Sequence, residues 1–243
     1  MYPIIFKIGQ FNLYTHGVMA VIGIIVGGIL LYKLAKRRGY STEFLFDNVI
    51  YSVLAGIIGA RLTYFFLYRG QFSSIKEVFY LWDGGLVSYG GFILGGIIFA
   101  LLIRVQKENI MKWLDIYSLA FVSGLFFGRV GNLMAGEYSG VATVSRFNIN
   151  GLVPIPAYEC ASLILIFVTL VILLKKKIKV NGMIFFTMIT MYGGFRFVID
   201  IWRAESKLFS FISLGQSVSM VLLIIGAIFI LLNILNAQKR SGR

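Results

Sequence analysis

Long apolar runs separated by short polar, basic stretches give this chain its pattern. Seven runs are long enough to predict helices through a bilayer, which takes about 20 mostly apolar residues: 12–32, 47–68, 86–103, 114–134, 157–174, 182–202 and 209–235. The third, GGLVSYGGFILGG at its start, is short and rich in glycine, which predicts a kinked or partly re-entrant segment. No soluble domain, long linker or short repeat interrupts the series. The chain therefore reads as one integral membrane domain over 1–243, an all-α polytopic protein with about seven transmembrane helices. The first run lacks a basic flank and a small-residue cleavage site, so it reads as a retained span.

The basic residues set the orientation. Lys33, Lys36, Arg37 and Arg38 follow the first span, and Arg104, Lys107 and Lys112 follow the third. Lys175, Lys176, Lys177 and Lys179 follow the fifth, and Lys239, Arg240 and Arg243 lie in the tail. The opposite loops hold less than half as many: Lys7, Arg69, Lys76, Arg146, Arg203 and Lys207. The positive-inside rule then predicts the N-terminus outside and the C-terminus in the cytoplasm. The longer connections, 69–85 and 135–156, fall on the outer side. The second of these, irregular and partly β-like, predicts a small extracytoplasmic cap.

Composition agrees with this picture. The chain is 58% hydrophobic and only 14% charged, against about 25% charged in soluble domains, and this excludes a soluble α/β protein. The net charge of +13 would suit nucleic acid, but its clustering between apolar runs fits loop charge instead. Cys160 is the single cysteine, so no internal disulfide forms, and its apolar surroundings make it a small core residue. One histidine and one cysteine cannot supply a zinc set. No phosphate-loop or dinucleotide motif is present. No metal and no cofactor are expected.

Polar residues inside the apolar runs carry the chemistry. A charge at the bilayer centre costs at least about 2.5–3.5 kcal/mol, yet Arg61 (GARLTYFF), Arg129 (FGRVGN) and Arg196 (YGGFRFVIDIWR) all lie in or at the ends of spans, each after glycine. Glu137, Glu159 and Asp200 are the acids nearest in sequence. One reading is a set of buried ion pairs that hold helices together. The other is a cavity for an anion, because a guanidinium forks onto phosphate oxygens; at that depth the phosphate belongs to a phospholipid headgroup.

At this point the residues resemble a known family. GRVGNLMAGEYSG is similar to the G-R-x-G-N-x-x-x-G-E-x-x-G signature of the prolipoprotein diacylglyceryl transferases, through Gly128, Arg129, Gly131, Asn132, Gly136, Glu137 and Gly140. Four further stretches resemble that family in order. They are Arg61 and Tyr64 in GARLTYFF, the stretch Trp82 to Gly91 around WDGG, Pro154, Tyr158 and Glu159 in PIPAYE, and Tyr192, Arg196, Asp200 and Arg203 in YGGFRFVIDIWR. The family often carries a histidine where Tyr89 stands. His16 stands in place of a tyrosine, Ala135 of an asparagine and Asp200 of a glutamate.

The resemblance implies a seven-span enzyme of the bacterial cytoplasmic (inner) membrane. It implies transfer of the diacylglyceryl group of phosphatidylglycerol to the lipobox cysteine of prolipoprotein signal peptides, the first step of lipoprotein maturation. The products are a thioether and glycerol phosphate. Its partners are then phosphatidylglycerol, the prolipoprotein and membrane lipid, with no nucleic acid. The nucleophile belongs to the substrate and must become a thiolate. Arg129 and Arg196 are expected to stabilise charge on the phosphate. Asn132, Arg61, Gly131, Asp200 and Arg203 are expected at the substrate, and Glu137 to orient Arg129 or to meet the glycerol hydroxyls. His16 and Tyr89 are the candidate bases; each is also readable as a packing residue. The competing reading is a lipid-binding or anion-transporting relative without turnover.

Overall fold

The computed structural model describes residues 4–8, 11–80, 85–176, 180–204 and 212–241. Seven α-helices account for most of them: α1 (Thr15–Arg37), α2 (Thr42–Leu67), α3 (Ser88–Val105), α4 (Ile110–Ala135), α5 (Ile155–Lys175), α6 (Met183–Ile199) and α7 (Leu214–Ser241). Six are long and apolar enough to cross a membrane, α6 when counted on to Trp202; α3 is the shorter apolar helix. At 18 residues it spans about 27 Å at 1.5 Å per residue. Large apolar side chains such as Phe66, Ile93 and Leu231 are exposed on these helices, as lipid-facing residues are.

Two strands precede the first helix. β1 (Ile4–Ile8) pairs antiparallel with β2 (Phe11–Tyr14), Ile4 opposite Tyr14 and Ile8 opposite Phe11. The predicted first span began inside β2; the helix starts later because residues 11–14 spend their backbone groups on this ladder. Of the basic residues counted above, Lys177, Lys179, Lys207 and Arg243 lie outside the described residues.

The chain separates into two compact units: Met1–Leu31 with Met111–Arg243, and Tyr32–Ile110. In the smaller unit α2 packs on α3 through glycine. A side-chain carbon on Gly91 would stand 3.0 Å from the Gly56 carbonyl oxygen, and one on Gly95 2.9 Å from that of Ser52. The glycines of the third run therefore serve close packing, and α3 is one continuous helix from Ser88 to Val105. Asn48 donates to the Phe99 carbonyl across the same seam, 3.3 Å away and fully buried.

Local sequence explains the helix ends in the larger unit. Ser213 and Gln216 form a reciprocal capping box at the start of α7. The Ser213 Oγ accepts from the Gln216 N–H at 3.1 Å, and the Ser213 N–H donates to Gln216 Oε1 at 3.0 Å. Asp115, buried in α4, accepts from the N–H groups of Gly182 (2.8 Å) and Phe185 (2.9 Å) and so caps α6 from another helix. Gly182 precedes α6 with φ +89°, a left-handed conformation that favours glycine.

Between α4 and α5 the chain is irregular. Val141 N–H donates to the Trp202 carbonyl (2.9 Å), Ala204 N–H to Ser139 (2.9 Å) and Val153 N–H to Val141 (3.1 Å). Residues 139–153 are thereby tied to the segment that follows α6.

Candidate functional site

The C-terminal end of α4, the end of α6 with the residues just after it, and the N-terminal end of α5 carry a cluster of ionised side chains within the larger unit. Glu159 stands in the second turn of α5. Its Oε1 accepts from Arg196 Nη1 and from Arg203 Nη2, the latter at 2.6 Å. Its Oε2 faces Arg129 Nε at 3.1 Å in an ion pair whose angle falls short of a hydrogen bond. Asp200 makes the second bridge: Oδ2 accepts from Arg196 Nε (3.0 Å) and Oδ1 from Arg203 Nε (2.8 Å). Gly215 of α7 packs on that carboxylate; a side-chain carbon there would lie 2.6 Å from Oδ2.

Burial gives the cluster a direction. The side chains of Glu159 and Asp200 are 6% and 0% exposed, while Arg129 is 26% exposed. Two carboxylates lie at the back and hold three guanidinium groups, leaving one net positive charge. Among the described residues neither terminal nitrogen of Arg129 takes part in a hydrogen bond, and the side-chain amide of Asn132, one turn along α4, makes none either. A narrow cleft lined by Arg129, Glu159, Tyr192, Arg196, Ser162 and Ile199 opens beside them. A cationic face over buried anions, beside unengaged donors, suits a singly charged anion such as a phosphodiester.

A second pair lies in the same unit. His16, in the first turn of α1, meets Glu137, just beyond α4, with Nε2 2.5 Å from Oε1. Both side chains are partly exposed. Gly131 faces α1 here: a side-chain carbon on it would stand 3.1 Å from Met19 Cβ and 3.5 Å from His16 Nδ1. Its direct role in the structure is to let α1 and α4 approach. Glu137, expected to orient Arg129, pairs with His16, and the carboxylate beside Arg129 is that of Glu159.

Arg61 and Tyr89 belong to the smaller unit. Arg61 is buried and gathers the chain after α2, donating to the carbonyls of Val78 (3.0 Å), Gly85 (3.2 Å), Glu77 (2.6 Å) and Tyr80 (2.9 Å). Gly85, at φ +76°, packs on the ring of Tyr64, whose hydroxyl donates to Gln71 Oε1 at 2.7 Å. Arg61, Tyr64 and the second glycine of WDGG thus fold one loop. Trp82, Asp83 and Gly84 lie outside the described residues. Tyr89 is exposed in the first turn of α3, and its hydroxyl makes no hydrogen bond among the described residues.

The structure therefore brings Arg129, Arg196, Asp200 and Arg203 together, and His16 with Glu137 and Gly131. Sequence reading placed Glu159 among the nearby acids but gave it no role; it is the hub. Three deep arginines with two further acids gave the available signal, since buried cations require buried anions. Ser139, which accepts from Arg203 Nη1 at 3.1 Å, carried no signal.

Comparison with known proteins bears on what such a site serves. The family model described as prolipoprotein diacylglyceryl transferase matches residues 3–232. A phosphatidylglycerol–prolipoprotein diacylglyceryl transferase of Streptococcus pyogenes serotype M3 is 30% identical, over 94% of this chain and 94% of its own. The protein of the same name from Finegoldia magna is 29% identical, over 92% of each chain.

Proposed function

The chain belongs to the prolipoprotein diacylglyceryl transferase family, and on that premise we propose that it moves the diacylglyceryl group of phosphatidylglycerol onto the lipobox cysteine thiol of a prolipoprotein. The carrying observation is the grouping of Arg129, Arg196 and Arg203 over buried Glu159 and Asp200. The headgroup phosphodiester has one negative charge, and the cluster has one net positive charge to meet it.

The chemistry follows from that fit. The thiolate attacks the terminal glyceryl carbon. A C–S bond forms, the C–O bond to phosphate breaks, and the electron pair stays on the phosphate oxygen. The phosphate gains a second negative charge as glycerol phosphate leaves. Guanidinium groups already held by carboxylates meet this charge without reorganising, so they stabilise the transition state more than the ground state. Arg129 is the primary clamp, because its terminal nitrogens are not engaged by protein. Arg196 and Arg203 are oriented by Glu159 and Asp200. The Asn132 amide donates to phosphate or to the glycerol hydroxyls. Arg61 fixes a loop of its own unit, and Tyr89 offers an exposed hydroxyl in the first turn of α3.

The placement in the membrane is part of the proposal. All seven helices span the bacterial cytoplasmic membrane as one integral domain, with the N-terminus outside and the C-terminus in the cytoplasm, and residues 135–156 form an outer cap. The loop charges support this orientation. It puts the ends of α4, α5 and α6 that carry the cluster on the outer side, where signal peptides emerge. The chain needs no cofactor and no nucleic acid. Full-length similarity to named transferases disfavours the lipid-binding alternative.

Reconstitution tests the proposal. Purified protein in phosphatidylglycerol vesicles is given a lipobox peptide, and the peptide mass is read. Gain of one diacylglyceryl group, absent with phosphatidylethanolamine vesicles, is the expected result. An unchanged mass with folded protein and a suitable peptide contradicts it.

A further inference from the structure

The transfer needs a thiolate, and the arginine cluster supplies no group to make one: its carboxylates are already ion-paired at the back of the site. His16 is the only histidine of the chain. Its Nε2 lies 2.5 Å from Glu137 Oε1. An ionised carboxylate only accepts, so Nε2 carries the hydrogen and Nδ1 is the basic nitrogen. Among the described residues Nδ1 has no hydrogen-bond partner, and a side-chain carbon on Gly131 of α4 would stand 3.5 Å from it. Gly131 stands between Arg129 and Asn132 in the sequence of α4, so the end of that helix meets both Glu159 and this ring.

We infer that His16, held by Glu137, is the catalytic base of this chain, with Nδ1 taking the proton of the substrate thiol. This rests on the transferase reading above. The S–H bond breaks, its proton goes to Nδ1, and the electron pair stays on sulfur. Glu137 balances the imidazolium that forms, as the carboxylate of a hydrolase triad does. After C–S bond formation and C–O cleavage, the proton passes to the departing glycerol phosphate or to water, and neutral imidazole returns. Gly131, having no side chain, leaves Nδ1 uncovered by one at this point of α4.

Two peptides separate a base from a structural residue: one lipobox peptide with cysteine, the other with selenocysteine, whose selenol ionises without help at neutral pH. Wild type, His16→Phe and Glu137→Gln are assayed with both. With the cysteine peptide His16→Phe is expected to lose about 10²–10⁴-fold in kcat/KM, the range for one general base, and Glu137→Gln less. With the selenocysteine peptide both variants are expected within about tenfold of wild type, which also shows that they fold. Equal losses on both peptides in both variants, or unchanged cysteine transfer by His16→Phe, overturn the inference. Wild type that modifies neither peptide instead overturns the transferase reading, and the base with it.

Discussion

Arg203 Nη2 donates to Glu159 Oε1 over 2.6 Å, joining the segment after α6 to the start of α5 across 44 positions of sequence. Glu159 is the point at which arginines from two further segments also converge. Deleting its carboxylate leaves three guanidinium groups facing one acid. Glu159→Ala should therefore lower stability by about 3–5 kcal/mol, the cost of breaking a buried pair from one side. Chemical unfolding in detergent checks this. Glu159→Gln should lose less, since the amide oxygen still accepts.

A guanidinium and an ammonium differ in shape, and the clamp depends on shape. Arg129→Lys keeps the charge but loses the fork. Its transfer rate should fall by about 10²-fold or more, with little change in the unfolding midpoint, because Arg129 is the most exposed member of the cluster. Steady-state kinetics with phosphatidylglycerol vesicles measures this.

The helix pattern was legible in the sequence because membrane helices write their apolar length directly into the chain. All seven predicted runs correspond to helices, with ends displaced by a few residues. The β1–β2 pair was not legible, because IIFKI and FNLY merge into the apolar run that follows. The arginines were conspicuous by the cost of burying them. Arg196 and Asp200, four apart on one helix face, were legible as a pair; the acid that Arg129 meets was not, since Glu159 is distant in sequence and only helix packing joins them. Arg61 shows the opposite limit: its depth suggested a ligand, but its donors are spent on four backbone carbonyls of a nearby loop.

That loop gives a separate prediction. Hydrogen bonds from a charged donor contribute about 1.5–3 kcal/mol each, so Arg61→Ala should free Ile75–Tyr80 and Gly85. Hydrogen exchange should rise there and stay unchanged in α5. Arg61→Lys, with a single ammonium, should restore only part of the protection.

Asp115 caps α6 from α4, and no phosphate chemistry is asked of it. Asp115→Ala should cost about 0.5–2 kcal/mol, as for loss of a helix cap, read as a lowered unfolding midpoint. Transfer by the protein that remains folded should be near wild type.

The central claim is that guanidinium groups at the ends of α4 and α6 bind the phosphate that leaves. Its most direct test is the single-turnover rate of diacylglyceryl transfer to a lipobox peptide by Arg129→Ala and Arg196→Ala beside wild type, each shown to be folded. Wild type is expected to form the adduct, and each variant to lose about 10²–10³-fold or more. Both variants transferring within tenfold of wild type would contradict it.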